Sequence, residues 1–109
     1  MSINLPEAIA GYITSANAHD ATLCGQYFTE DAIVHDEGKE RKGVAAICAW
    51  KEDVNRKYRP VIEPLAVAEG GGRLALKAKV SGDFAGSPIE LNFAFTLRGG
   101  KIARLEISP

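Results

Sequence analysis

Tyr27-Phe28-Thr29-Glu30-Asp31-Ala32-Ile33-Val34-His35-Asp36, followed after a polar stretch by Gly43-Val44-Ala45-Ala46-Ile47 and Trp50, decides the fold of this chain. The run carries the chain from the end of a helix into a short strand, and Gly43 then opens a second amphipathic helix. Strand alternation puts Ala32, Val34 and Asp36 on one face and Ile33, His35 and Glu37 on the other. Asp36 therefore shares its face with apolar neighbours. A carboxylate aimed into an apolar space is costly unless it is paired or protonated, which marks it as a candidate functional group.

Upstream of this run the pattern is helical. Ser2 or Asn4 can cap a helix with Pro6 in its first turn and Glu7 at the positive end of its dipole. Ile9, Tyr12, Ile13 and Ala16 then recur at helical spacing, which places Tyr12 on the buried stripe. Asp20 can cap a second short helix carrying Leu23, Tyr27 and Phe28, with His19 at a left-handed position where the first helix ends. Glu37 to Lys42 reads as a polar turn, with Lys39-Glu40-Arg41-Lys42 as a solvated hairpin tip. Ile47, Trp50, Val54 and Tyr58 then form the stripe of a third helix, which Pro60 stops.

Downstream the period changes to two. Leu74, Leu76, Ala78 and Val80 alternate with Ala75, Lys77 and Lys79, and Ile89, Leu91, Phe93, Phe95 and Leu97 alternate with polar or small residues. Gly70-Gly71-Gly72, Gly86-Ser87-Pro88 and Gly99-Gly100 supply the turns. Four successive strands so joined make an antiparallel meander ending in Lys101 to Ile107. Pro64 within Val61 to Glu69 predicts an edge strand or a bulge. Three helices followed by a meander is an α+β layout, one domain over residues 1–109, with the helices covering one face of a curved, mainly antiparallel sheet.

Composition narrows the function classes. The chain has 109 residues, 46% of them hydrophobic, enough for a single core, and a formal net charge of -1. No basic cluster marks a nucleic-acid or anionic membrane surface, and no apolar run approaches the roughly 20 residues of a membrane span. Cys24 and Cys48, in different predicted helices without C-x-x-C spacing, read as free buried thiols in a reducing cytoplasm. His19 and His35 lack metal-ligand spacing, no Gly-rich loop precedes a helix, and neither cysteine has a His placed to activate it. The expectation is a cytoplasmic protein with no metal and no cofactor.

The opening run, the Gly43-x-x-x-Ile47-x-x-Trp50 helix start and the closing Gly99-Gly100-Lys101-Ile102 together resemble the SnoaL-like branch of the NTF2-like superfamily. That superfamily includes ketosteroid isomerase, polyketide cyclases and scytalone dehydratase. The resemblance implies a cone: a curved sheet wrapped around the first helix, enclosing a largely apolar pocket for a small molecule, here with Val34, Trp50, Leu76, Phe93 and Phe95 as wall residues. It implies a homodimer through the outer sheet face bearing Ala75, Lys77, Lys79, Asn92, Ala94 and Thr96. In ketosteroid isomerase-like proteins a Tyr of the first helix donates a hydrogen bond to the substrate oxygen, and an Asp on the following strand moves the proton. Tyr12 and Asp36 stand at those positions. The family's third element, an acidic residue on the penultimate strand, is replaced by Phe93, and Lys51 stands where the family enzyme has a supporting Tyr.

Two functions follow from the resemblance. One is a cofactor-free isomerase, cyclase or dehydratase acting on a carbonyl compound, with Asp36 as general base and Tyr12 as donor. The other is a non-catalytic ligand-binding or dimerisation domain, in which Tyr12 is a core aromatic and Asp36 pairs with Arg41 or Lys42.

Overall fold

The computed structural model describes residues 5–36 and 38–109, so the capping roles assigned to Ser2 and Asn4 and the facing of Glu37 lie outside the described residues. Helix α1 runs Glu7–Asn17 from Pro6 and buries Ala8, Ile9, Tyr12, Ile13 and Ala16, the predicted stripe with Ala8 added. Gly11 sits in its interior, where Gly is about 1 kcal/mol worse than Ala. The reason is close approach: a Cβ at Gly11 would collide with one edge of the Tyr27 ring. At the helix end the Asn17 amide grips the backbone of Ile62, donating to its carbonyl at 3.0 Å and accepting from its N–H at 2.6 Å. His19 takes the predicted left-handed conformation, with φ of 55°.

The second predicted helix is only a three-residue 3-10 turn, Cys24–Gln26. Asp20 does not cap an α-helix; its side chain accepts from both the backbone N–H and the hydroxyl of Thr22, a local turn that competes with helix formation. Leu23 is exposed, and Phe28 already belongs to the first strand. Among the described residues there are therefore two α-helices rather than three.

Strand β1, Phe28–Asp36, buries Phe28, Ala32 and Val34 and leaves Asp36 half-buried on the same face. The expected polar tip is instead strand β2, Lys39–Lys42, paired antiparallel to β1. Its charges are those of a solvated edge strand. His35 projects to the other face and pairs with Glu40 of β2 at 3.0 Å. Gly43, with φ of 90°, turns the chain into α2, Val44–Tyr58, which ends at Arg59 in a left-handed conformation.

Cys24 and Cys48 are not free thiols: they form a disulfide, with their Cα atoms 5.9 Å apart, that ties the 3-10 turn to α2. The bridge withdraws the thiol argument for a reducing cytoplasm, since such bonds persist where the surroundings are oxidising.

Strands β3 (Val61–Gly70), β4 (Arg73–Ser81), β5 (Ile89–Arg98) and β6 (Lys101–Ser108) form the expected meander, and β1 joins β6 in parallel. The resulting six-stranded mixed sheet has the order β2-β1-β6-β5-β4-β3. Pro64 lies on the outer strand β3 at a register shift, so both readings of that proline hold. Further register shifts interrupt β1 against β6 and β5 against β6. Such irregularities bend strands and raise local twist, which gives the sheet its cone-like curvature over the helices.

Two register rows across the inner face explain where the core ends. Val34, Leu105, Phe95 and Leu74 are successive partners across β1, β6, β5 and β4, and all four are at most 3% exposed. Tyr12 meets Phe28 and Phe95 edge-on at 5.8 and 5.9 Å between ring centres, contacts worth about 0.5–1.5 kcal/mol each beyond area burial. The next row is Asp36, Ile107, Phe93 and Leu76. There the packing opens.

Candidate active site

Beyond the second row lies a cavity of about 470 Å³, lined from α1 by Tyr12, from β1 by Asp36, from α2 by Trp50, Lys51, Val54 and Tyr58, and from the sheet by Ile62, Val80, Ile89, Leu91, Phe93 and Ile107. Its walls are mainly apolar. Tyr58 and Ile89 are each more than a third exposed, so the cavity reaches solvent on their side. Phe84 meets Tyr58 edge-on, and the N–H of Asp83 donates to the Tyr58 carbonyl at 2.7 Å, which fixes this rim.

Tyr12, Asp36, Trp50 and Phe93 thus share one space. Val34, Leu76 and Phe95, also read from the sequence as wall residues, are at most 1% exposed and lie in the packed layer instead of lining the cavity. Val34 and Phe95 belong to the deeper register row, where Phe95 meets the Tyr12 ring edge-on. Arg41 donates to the backbone carbonyl of Asp36 at 3.4 Å, and its guanidinium lies 5.5 Å from the Trp50 ring centre, so its charge sits behind that wall.

Lys51 completes the polar set. It is 5% exposed, and its Nζ lies 5.0 Å from the centre of the Tyr12 ring and 5.2 Å from that of Trp50. Among the described residues it is the one buried cation. The signal in the sequence is its place between Trp50 and Val54, four residues after Ile47 and four before buried Asn55, well within the inward arc of α2. Reading the stripe through its apolar members alone passes over it.

Burial and the charge of Asp36 act on both Tyr12 and Lys51. Burial, and next the Asp36 carboxylate, push the Tyr12 hydroxyl well above the ordinary phenol range, so it stays a neutral donor. Burial pulls Lys51 from 10.5 down to about 8, against the opposing pull of Asp36. A neutral hydrogen-bond donor, a carboxylate and an amine that exchanges its proton near neutral pH meet in one apolar enclosure.

A pH dependence of stability follows. The groups facing Lys51 are Tyr12 from α1 and Asp36 from β1, with Arg41 of β2 behind Trp50. Between about pH 8 and 10.5 the unfolded chain binds the Lys51 proton and the folded chain does not, so stability rises with pH. Above pH 10 the unfolded chain loses the Tyr12 proton first and this trend is opposed. Urea unfolding should show a gain of about 2 kcal/mol between pH 8 and 10, absent in Lys51→Met. A flat profile in the parent protein would contradict the burial of this amine.

A family model described as the SnoaL-like domain matches residues 9–105. None of the curated proteins compared matches the chain. Among solved structures, a polyketide cyclase candidate from Sinorhizobium meliloti is 38% identical, with 95% of each chain covered and a TM-score of 0.91. Another polyketide cyclase candidate, from Pseudomonas putida KT2440, is 26% identical over 99% of this chain and 92% of its own, with a TM-score of 0.81. A protein of ketosteroid isomerase-like fold from Catenulispora acidiphila, solved with trimethylamine, is 17% identical over 97% of this chain and 87% of its own, with a TM-score of 0.85, a likeness of fold alone.

Proposed function

The chain belongs to the SnoaL-like domain family, and on that premise we propose that its cavity binds a small, mostly apolar carbonyl compound and isomerises, cyclises or dehydrates it without a cofactor. The observation that carries this reading is the meeting of Tyr12 and Asp36, with Lys51 beside them, in one mainly apolar cavity. Asp36 takes a proton from the carbon beside the carbonyl, and Tyr12 donates a hydrogen bond to the oxygen as negative charge develops there. The likeness to the Sinorhizobium meliloti polyketide cyclase candidate supports the same class of chemistry.

Phe93 favours a second reading. It lines the cavity where the ketosteroid isomerase-like pattern has an acidic donor, so the oxyanion has one fewer group to meet, as suits a domain that only holds its ligand. Both readings require binding, and a thermal-shift screen of apolar ketones and lactones tests it. A ligand present at a hundred times its Kd should stabilise the fold by about 2.7 kcal/mol. That is a rise of several degrees in Tm. A panel in which no ketone or lactone raises Tm at millimolar concentration would overturn the assignment of the cavity, and binding without turnover would select the second reading.

A further inference from the structure

Every other lysine of the chain is exposed, and Lys57, Lys77 and Lys79 are paired with carboxylates. Lys51 differs in its burial, and the carboxylate whose charge acts on it is Asp36 inside the cavity. Its side chain is buried, its Nζ lies against the Tyr12 and Trp50 rings, and it lines the cavity of about 470 Å³ that Asp36 also lines. A cation kept at that depth is not explained by packing, because an apolar side chain of similar length would fill the same volume without desolvating a charge.

We propose that Lys51 is a nucleophilic amine, and that the cavity takes an apolar aldehyde or ketone as a covalent imine on its Nζ. The inference rests on the reading of the cavity as a carbonyl-compound site, and it goes beyond acid–base chemistry at that site. The neutral amine uses its lone pair to form an N–C bond at the carbonyl carbon, while the C=O π pair moves to oxygen. The oxygen takes up a proton, for which the Tyr12 hydroxyl is the neighbouring donor, and Nζ gives one up, for which the Asp36 carboxylate is the neighbouring acceptor. Asp36 returns that proton to the carbinolamine hydroxyl, which leaves as water while the nitrogen lone pair forms C=N. The product is the protonated imine, Asp36 is a carboxylate again, Tyr12 regains its proton from solvent, and no oxidation state changes. The low affinity of buried Lys51 for its proton leaves roughly half of it neutral near pH 8, whereas an exposed lysine is almost wholly protonated there. A protonated imine acidifies the adjacent carbon, and Asp36 stands in the same cavity to accept that proton.

The test uses the intact chain with 3-phenylpropanal and cyanoborohydride at pH 7.5, which fixes any imine as a secondary amine, followed by peptide mapping. Labelling of Lys51 should exceed that of Lys57 or Lys101 by about tenfold or more. Equal or preferential labelling of the exposed lysines overturns the proposal. Thermal shift with 3-phenylpropanol, which fits the same space and forms no imine, separates the two failures. If the alcohol stabilises the fold while Lys51 stays unlabelled, the amine role falls and the cavity reading stands; if it does not stabilise and Lys51 stays unlabelled, both fall.

Discussion

Asp36→Asn should slow exchange of the α-protons of a bound apolar ketone with deuterated solvent by roughly 10²–10⁴-fold, the usual contribution of a positioned general base. The assay needs no knowledge of the natural substrate, because any enolisable ketone that enters the cavity reports proton abstraction. Tyr12→Phe should slow the same exchange by roughly 10²–10³-fold by removing an oxyanion donor. Its effect should fall on the rate at saturating ketone, since the hydrogen bond strengthens only as charge develops on the oxygen. Asp36→Asn keeps the shape of the side chain and removes its charge, so ligand-induced stabilisation should persist while exchange collapses. Exchange at the parent rate in both variants would remove the catalytic reading and leave a binding domain.

Loss of the Cys24–Cys48 bridge should reduce stability by about 3.5 kcal/mol, the loop-closure entropy of a 24-residue separation. That is a large part of the roughly 5–15 kcal/mol by which a domain is stable. The bond anchors the 3-10 turn to the helix that carries Trp50 and Lys51, so its removal should also loosen one wall of the cavity. Urea unfolding of the Cys24→Ser/Cys48→Ser protein, compared with the oxidised parent, measures the effect. Coincident midpoints, or full alkylation of both cysteines in the native parent without reductant, would show that the bridge does not hold the fold.

The parts of this architecture that were legible in the sequence are those written in a strict period. The stripe of Ile9, Tyr12, Ile13 and Ala16, the alternation from Leu74 to Val80 and the Gly-marked turns each state a burial pattern locally, and the sheet obeys them. The misread parts depend on something local pattern does not encode. Asp20 is a good capping residue, but here its carboxylate is used by Thr22. Lys39–Lys42 has no apolar alternation because it is a solvated edge strand, and only its pairing with β1 reveals it. Cys24 and Cys48 meet because α2 folds back over the 3-10 turn, a long-range event that their spacing does not indicate.

The same distinction holds in the site. Tyr12 and Asp36 could be found because one lies on a helical stripe and the other on the apolar face of a strand. Which aromatic and aliphatic residues line the cavity depends on the row they occupy across four strands: Phe93 sits in the row of Asp36, whereas Phe95 sits one row deeper and is packed against Tyr12. Lys51 was visible as a residue and hidden as a participant, since a charged side chain inside an apolar arc reads first as a solvated one.

A crystal structure with cyclohexenone diffused into the protein tests the central claim most directly. The ketone should lie in the cavity beside Phe93 and Ile107, with its oxygen within hydrogen-bond distance of the Tyr12 hydroxyl and an α-carbon facing the Asp36 carboxylate. Ketone bound only on the outer face of the sheet, or seated in the cavity with its oxygen turned toward solvent at Tyr58 and Ile89, would contradict it.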